Sequence, residues 1–146
     1  MPKLKKGFTL IELLVVISII GILATIVAAN LNSARARARD LKRKQELREL
    51  QSSLQLYYNT YQAFPTAASG RYIPHCDSAN CDPGELFAVN GITYMKSMPE
   101  YQYANSGDGG YYLKIELENP SDPDLATSQA ACPGSSAAAT EYVVCP

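Results

Sequence analysis

The sequence predicts an α+β chain: a long N-terminal helix whose apolar half can span a membrane, and a small C-terminal antiparallel β-sheet head packed on its amphipathic half. Three observations predict it. Residues 13–34 are 22 consecutive positions without a charge, mostly Leu, Ile, Val and Ala. Leu47, Leu50, Leu54, Tyr57 and Tyr61 then recur at alternating spacings of three and four, the period of one helix face. Beyond Pro65 the chain becomes rich in Gly, Pro, Ser and Asn and carries short alternating segments, the pattern of strands and turns.

Each element follows in order. A bilayer core takes about 20 helical residues, so residues 13–34 are long enough to cross one. A secretory signal peptide would have a shorter apolar core and a small-residue cleavage site behind it. Here the helical pattern runs on without a break through Arg35, Arg37, Arg39, Lys42, Arg43, Lys44 and Arg48, so the segment is expected to be retained. The helix is expected over residues 8–62, a length of roughly 80 Å, ending before Pro65, which disfavours a helical backbone at Phe64. The Leu/Tyr stripe is the face on which the head should pack. In the head, Ile92–Met95 is a candidate strand. Residues 101–103 and 112–117 alternate around a Ser-Gly-Asp-Gly-Gly turn and read as a hairpin. Residues 141–145 are a candidate third strand, and the Ala/Ser-rich residues 126–140 read as a long surface loop. The expected organisation is therefore 1–7 leader, 8–34 membrane or filament-core helix, 35–62 amphipathic continuation and 63–146 globular head.

Charge is divided unevenly. Residues 1–64 hold ten Lys/Arg against four Asp/Glu, a net of +6, whereas residues 65–146 hold three against ten, a net of −7. Asp40 with Lys44 and Lys42 with Glu46 stand four apart, the spacing of helical ion pairs. The basic cluster is expected to be a solvated or lipid-headgroup face. A nucleic-acid partner is the less favoured reading, because no aromatic residue is interleaved to stack on bases. All four cysteines lie in the head, at Cys76, Cys81, Cys132 and Cys145, which suggests disulfides and an oxidising exterior. The favoured pairs are Cys76–Cys81 and Cys132–Cys145, each closing a short loop; free thiols or a metal site are the alternatives, although the second spacing is long for structural zinc. By the positive-inside rule the seven basic residues after the span would stay in the cytoplasm. The cysteines point the other way and are given more weight.

Catalytic chemistry has little to work with. His75 is the single histidine, and no H-E-x-x-H, P-loop or Gly-rich dinucleotide motif is present, so no enzyme activity and no cofactor are expected. Asp77, Asp82, Glu85, Asp122 and Asp124 are weak calcium candidates whose spacing fits no calcium loop, and solvated turns are the preferred reading.

One residue is out of place energetically. Glu12 stands at the head of the apolar run, where a carboxylate near the bilayer centre would cost roughly 2.5–3.5 kcal/mol. It belongs to Lys6-Gly7-Phe8-Thr9-Leu10-Ile11-Glu12-Leu13-Leu14, which resembles the cleavage and methylation signature of type IV pilins and type II secretion pseudopilins. The likeness continues as VVISIIGILATI to Ile26, and LNSARARARD with LYYNTYQAFP resembles a subgroup of small pilin-like proteins. The resemblance implies cleavage between Gly7 and Phe8 by a membrane peptidase, N-methylation of Phe8, and a mature chain of 139 residues. It implies Glu12 as the assembly residue, paired with the Phe8 amine of a neighbour. Its implied partners are further copies in a homopolymer or mixed filament, the prepilin peptidase/methyltransferase, an assembly platform and the bilayer. Its implied location is a single-pass membrane protein that becomes an extracellular pilus or an envelope pseudopilus. Many relatives carry a Pro about eight residues beyond the glycine matching Gly21; Ala28-Ala29-Asn30 stands here instead, so no Pro kink is expected. The expected function is a structural filament subunit. A pseudopilin of a secretion or DNA-uptake machine is the alternative, and a membrane-anchored extracellular binding module is the reading from another class.

Overall fold

No proline interrupts residues 10–61, and in a computed structural model of the chain they form one helix, α1 (Leu10–Tyr61), of 52 residues. The structure describes residues 7–66, 73, 76, 81–106 and 109–146; leader residues 1–6, His75 and Asp77 lie outside these. The helix stops at Gln62, which takes a left-handed φ of 55° while its N–H bonds back to the Tyr58 carbonyl at 2.7 Å. Beyond the turn, the Pro65 carbonyl accepts from the Tyr103 hydroxyl and from Asn105 Nδ2, which fixes the exit path.

The head supplies β1 (Phe87–Val89), β2 (Ile92–Met95), β3 (Gln102–Asn105), β4 (Tyr111–Glu116), α2 (Asp124–Ala131) and β5 (Glu141–Val144). The result is the α+β arrangement the sequence predicts, with two small antiparallel sheets among the described residues, β1-β2 and β3-β4-β5. Along β4, Tyr111, Leu113 and Ile115 are buried and alternate with more exposed residues; Leu113 stands opposite Tyr103 and Val144, and Ile115 opposite Tyr142. The β1-β2 hairpin turns on Asn90 and Gly91, both at positive φ (52° and 75°), as a two-residue turn of this hand requires. That Asn-Gly pair is a strong hairpin signal, and the sequence reading passed over it together with β1.

The chain divides into two compact units, one ending at Ala36 and the other Arg37–Pro146. In the second, Leu47, Leu50 and Leu54 are fully buried, Tyr57 nearly so, and Tyr61 partly. Full burial of a leucine is worth about 1.5–3 kcal/mol, so this stripe is a principal source of docking energy. Tyr57 stacks against Phe87 at 5.9 Å and meets Tyr94 edge-on at 5.5 Å, while Phe64 meets Tyr111 at 4.7 Å.

One expectation is corrected. Residues 126–140 do not form one long loop, because α2 occupies their first part. Leu125 and Ser128, one turn apart, are buried, and the Ser128 hydroxyl accepts the Val143 N–H at 3.3 Å. Alanine is the best helix former, so an Ala-rich stretch becomes helical once one apolar residue has a core to enter. Cys132 at the end of α2 is bonded to Cys145 beyond β5, and Cys76 to Cys81.

The head is also held by a carboxylate. Asp40, on α1, is 1% exposed; its two oxygens accept the Glu118 and Asn119 backbone N–H groups, each at 2.9 Å. Arg43 adds a contact at 3.3 Å. Asp40→Ala would strand two backbone donors beside a buried cavity, and the expected loss of stability is about 2–4 kcal/mol. Asp40→Asn, which keeps one acceptor, should lose clearly less. Urea unfolding of the detergent-solubilised full chain checks both.

Candidate processing and assembly site

Thr9 and Glu12, ahead of the apolar run, build a helix cap. The Thr9 backbone N–H and hydroxyl both donate to Glu12 Oε2, at 2.9 and 2.8 Å, and the Glu12 N–H returns to the Thr9 hydroxyl at 3.3 Å. This is a reciprocal capping box, and it satisfies donors that the first turn of any helix leaves open. The sequence reading treated Glu12 as an isolated charge and missed Thr9, although Thr-x-x-Glu before an apolar run is the signature of that cap. Both bonds fall on Oε2, so Oε1 takes no bond within the box. Phe8, just before it, is 82% exposed. A Cβ built on Gly7 would meet nothing within 4 Å. Among the described residues, nothing packed against position 7 therefore demands glycine there.

The helix that follows is apolar on every side, and its Leu, Ile and Val side chains between residues 10 and 31 are exposed. It is long and apolar enough to cross a membrane. Four of its polar side chains turn inward on the backbone. Ser18 donates to the Leu14 carbonyl, Thr25 to Ile22, Asn30 to Ile26 and Ser33 to Asn30, at 2.7–3.1 Å. These four side chains thus enter an apolar surrounding already hydrogen-bonded, which lowers the transfer cost.

Past residue 36 the basic face serves the head rather than solvent or lipid alone. Arg39 donates to both carboxylate oxygens of Glu118, at 2.8 and 2.6 Å, and Arg43 reaches the same carboxylate at 3.0 Å. Lys44 is buried and donates to Asp122 at 2.5 Å and Asp124 at 2.9 Å, with the Tyr142 ring 5.4 Å away. The expected pair of Lys42 with Glu46 forms at 3.4 Å. The expected pair of Asp40 with Lys44 gives way, because each is buried and finds two other partners in the segment after β4: backbone N–H groups for Asp40 and carboxylates for Lys44. Two charge-assisted bonds satisfy more of each buried group than a single ion pair along the helix would.

The calcium candidates are accounted for in the same way. Asp122 and Asp124 already share a cation, the Lys44 ammonium. Asp82 and Glu85 close a tight turn on each other, with the Glu85 N–H to the Asp82 carbonyl at 3.0 Å. Among the described residues, no group of three or more His, Cys, Asp or Glu is placed to hold a metal.

The charged network sets titration directions. The Arg39 hydrogen bonds hold the Glu118 carboxyl below its usual range. Burial works against the charge on Lys44 and on Asp122. The hydrogen bonds between them outweigh it, so the Lys44 ammonium is pushed up and the Asp122 carboxyl down. Burial raises the Tyr103 phenol and pushes Tyr111 up to about 12.

Residues 2–28 match the family model described as the prokaryotic N-terminal methylation motif. Over 118 residues the chain is 32% identical to the type II secretion system core protein G of Vibrio cholerae, covering 75% of this chain and 79% of the relative. It is 31% identical to the protein of the same name from Escherichia coli over 114 residues, 74% of this chain and 77% of the other. A type IV wide pilus major component of Thermus thermophilus is 66% identical over 35 residues, 24% of this chain and 27% of that one. No solved structure matches the chain.

Two outcomes are expected. Carboxylates with depressed pKa stabilise the fold above their unfolded value, and groups with raised pKa stabilise it below theirs. The thermal midpoint should therefore be flat between about pH 5 and 9.5. It should fall below about pH 4 as Asp122 and Glu118 protonate, and above about pH 10 as Lys44, Tyr103 and Tyr111 lose protons. A midpoint that rose towards pH 3 would contradict the ion-pair account. Millimolar calcium should leave the midpoint unchanged at pH 7, since Lys44 holds the place a cation would take.

Proposed function

The chain belongs to the family of type IV pilins and type II secretion pseudopilins, and on that premise we propose that it is a structural subunit of a type IV pilus-like filament. It is cut by a prepilin peptidase between Gly7 and Phe8, methylated on Phe8 and polymerised through its N-terminal helix. The observation that carries this reading is the run from Gly7 to Glu12 set directly on an exposed, uncharged helix.

Gly7 suits a protease cleft because an extended backbone without a Cβ can enter it closely. The open space around Gly7 supports an external reason for the glycine. Before cleavage the subunit is a single-pass membrane protein, its residues 13–34 in lipid and its disulfide-bonded head on the oxidising side. Cleavage frees a cationic amine on Phe8. In the filament that amine from one subunit meets Glu12 Oε1 of a neighbour, while Thr9 keeps Oε2. At 4 Å and an effective dielectric of about 20 the attraction is roughly 4 kcal/mol, from which desolvation must be subtracted. Its main effect is register, because a subunit inserted out of step would leave the carboxylate without its ammonium.

A pseudopilin of a type II secretion machine is the more specific reading. The similarity to the secretion core proteins runs through three quarters of this chain, whereas the pilin similarity spans only 35 residues. The relatives are named as components of secretion and pilus systems, and a non-enzymatic role is proposed here too.

Intact mass of the chain recovered from membranes or sheared filaments is expected to lack residues 1–7 and to carry one added methyl group. Retention of the leader would overturn the reading. Glu12→Ala should insert into the membrane at the level of the parent chain but yield few or no filaments, as counted by electron microscopy. Normal filaments from that variant would sink the register argument.

A further inference from the structure

Two patches of the Arg37–Pro146 unit have charges or apolar surface that the unit leaves unused, and they complement each other. The first lies on α1. Leu41 is 63% exposed, the most exposed large apolar side chain of the unit among the described residues. Arg37 stands one turn before it on the same helix face, is exposed, and has no ion pair within the described residues.

The second is an open groove of about 580 Å³ at the lower end of β4, bordered by Arg43, Glu100, Lys114, Glu116, Glu118 and Pro120. Its cations are already engaged: Arg43 is bonded to Glu118, and Lys114 lies 3.9 Å from Glu141. Glu100 and Glu116 are exposed and have no cation within the described residues. Glu116 also stands directly opposite Glu141 across β4 and β5. Like charges in that position repel, and Lys114 relieves only the Glu141 side.

We propose that the Arg37 and Leu41 ridge of one copy seats in the groove of a second copy, with Arg37 between Glu100 and Glu116 and Leu41 against Pro120. The occupant is a second copy rather than an unrelated partner because the missing charges have opposite sign on the same chain. Geometry supports this as well. Arg43 borders the groove and is two residues from Leu41, so the two side chains leave α1 about 200° apart. The patches face opposite ways, so the contact is heterologous: each copy that offers its ridge still has its groove free. Such a contact propagates as an open array and does not close as a dimer. This inference rests on the filament reading above and gives the charge asymmetry of the sequence a use in it.

Charge reversal tests it in cells that produce the full chain with its processing machinery. Arg37→Glu and Glu116→Arg are each expected to lower the filament recovered by shearing by about tenfold, the effect of about 1.4 kcal/mol per contact. The double variant should return to within about twofold of the parent, because the pair is restored with its signs exchanged. Leu41→Gln, which changes no charge, should lower the yield by a smaller factor. Thermal midpoints of the detergent-solubilised variants, all altered at exposed positions, establish that each is folded. Parent-like yield from both single variants would overturn the contact, and so would failure of the folded double variant to recover. Absence of filaments from the parent chain would instead overturn the filament reading, and this contact with it.

Discussion

The arrangement of the head depends on a short acidic segment laid on a basic helix face. Glu118, Asn119, Asp122 and Asp124 follow β4 directly, and each makes a bond to α1 through Arg39, Asp40, Arg43 or Lys44. Asp40 and Lys44 are buried, so their partners are not interchangeable with water. Fixing this segment starts α2 at a defined place. Leu125 can then reach the core, Ser128 can meet β5, and Cys132 lies within bonding distance of Cys145. Apolar burial under Leu47, Leu50 and Leu54 supplies most of the energy, but it does not choose one seating. The charged contacts do, because a shift of one turn along the helix would leave a carboxylate and an ammonium buried without partners.

The same basic residues bear on the charge count that follows the apolar run. Counted in the sequence, seven cations after the apolar run argue for cytoplasmic retention. In the folded chain Arg39, Arg43 and Lys44 are neutralised by head carboxylates, and Lys42 by Glu46. The cluster is therefore largely an internal docking surface of the Arg37–Pro146 unit. Its meaning as a lipid or nucleic-acid face shrinks accordingly, and Arg35 and Arg37 remain as the cations nearest the apolar run with no ion pair among the described residues.

At the other end of the helix, Thr9 and Glu12 show how one carboxylate can be tolerated in two settings. The capping box provides two donors inside the chain, so Glu12 is never a bare charge at the edge of an apolar helix. The back-bonded Ser18, Thr25, Asn30 and Ser33 extend the same economy of hydrogen bonding along the segment. A helix built this way presents mostly hydrocarbon outward, which suits an apolar surrounding.

By itself the sequence determined the long helix, its apolar half, its Leu/Tyr docking stripe, the β3-β4 hairpin and the motif from Gly7 to Glu12. These depend on local periodicity, on run length or on adjacent residues, which a linear reading can measure. The Thr9 cap and the Asn90-Gly91 turn are equally local, and Thr-x-x-Glu and Asn-Gly are their sequence signatures. Only the tertiary structure decided that residues 124–131 form a helix, that Asp40 and Lys44 ignore each other, and that Asp122 and Asp124 share an ammonium. The last two outcomes join residues about 80 apart in sequence, such as Lys44 and Asp124. Helix propensity in α2 and ion pairing in α1 are each worth a few tenths of a kcal/mol. Burial against a distant partner is worth more and therefore overrides them.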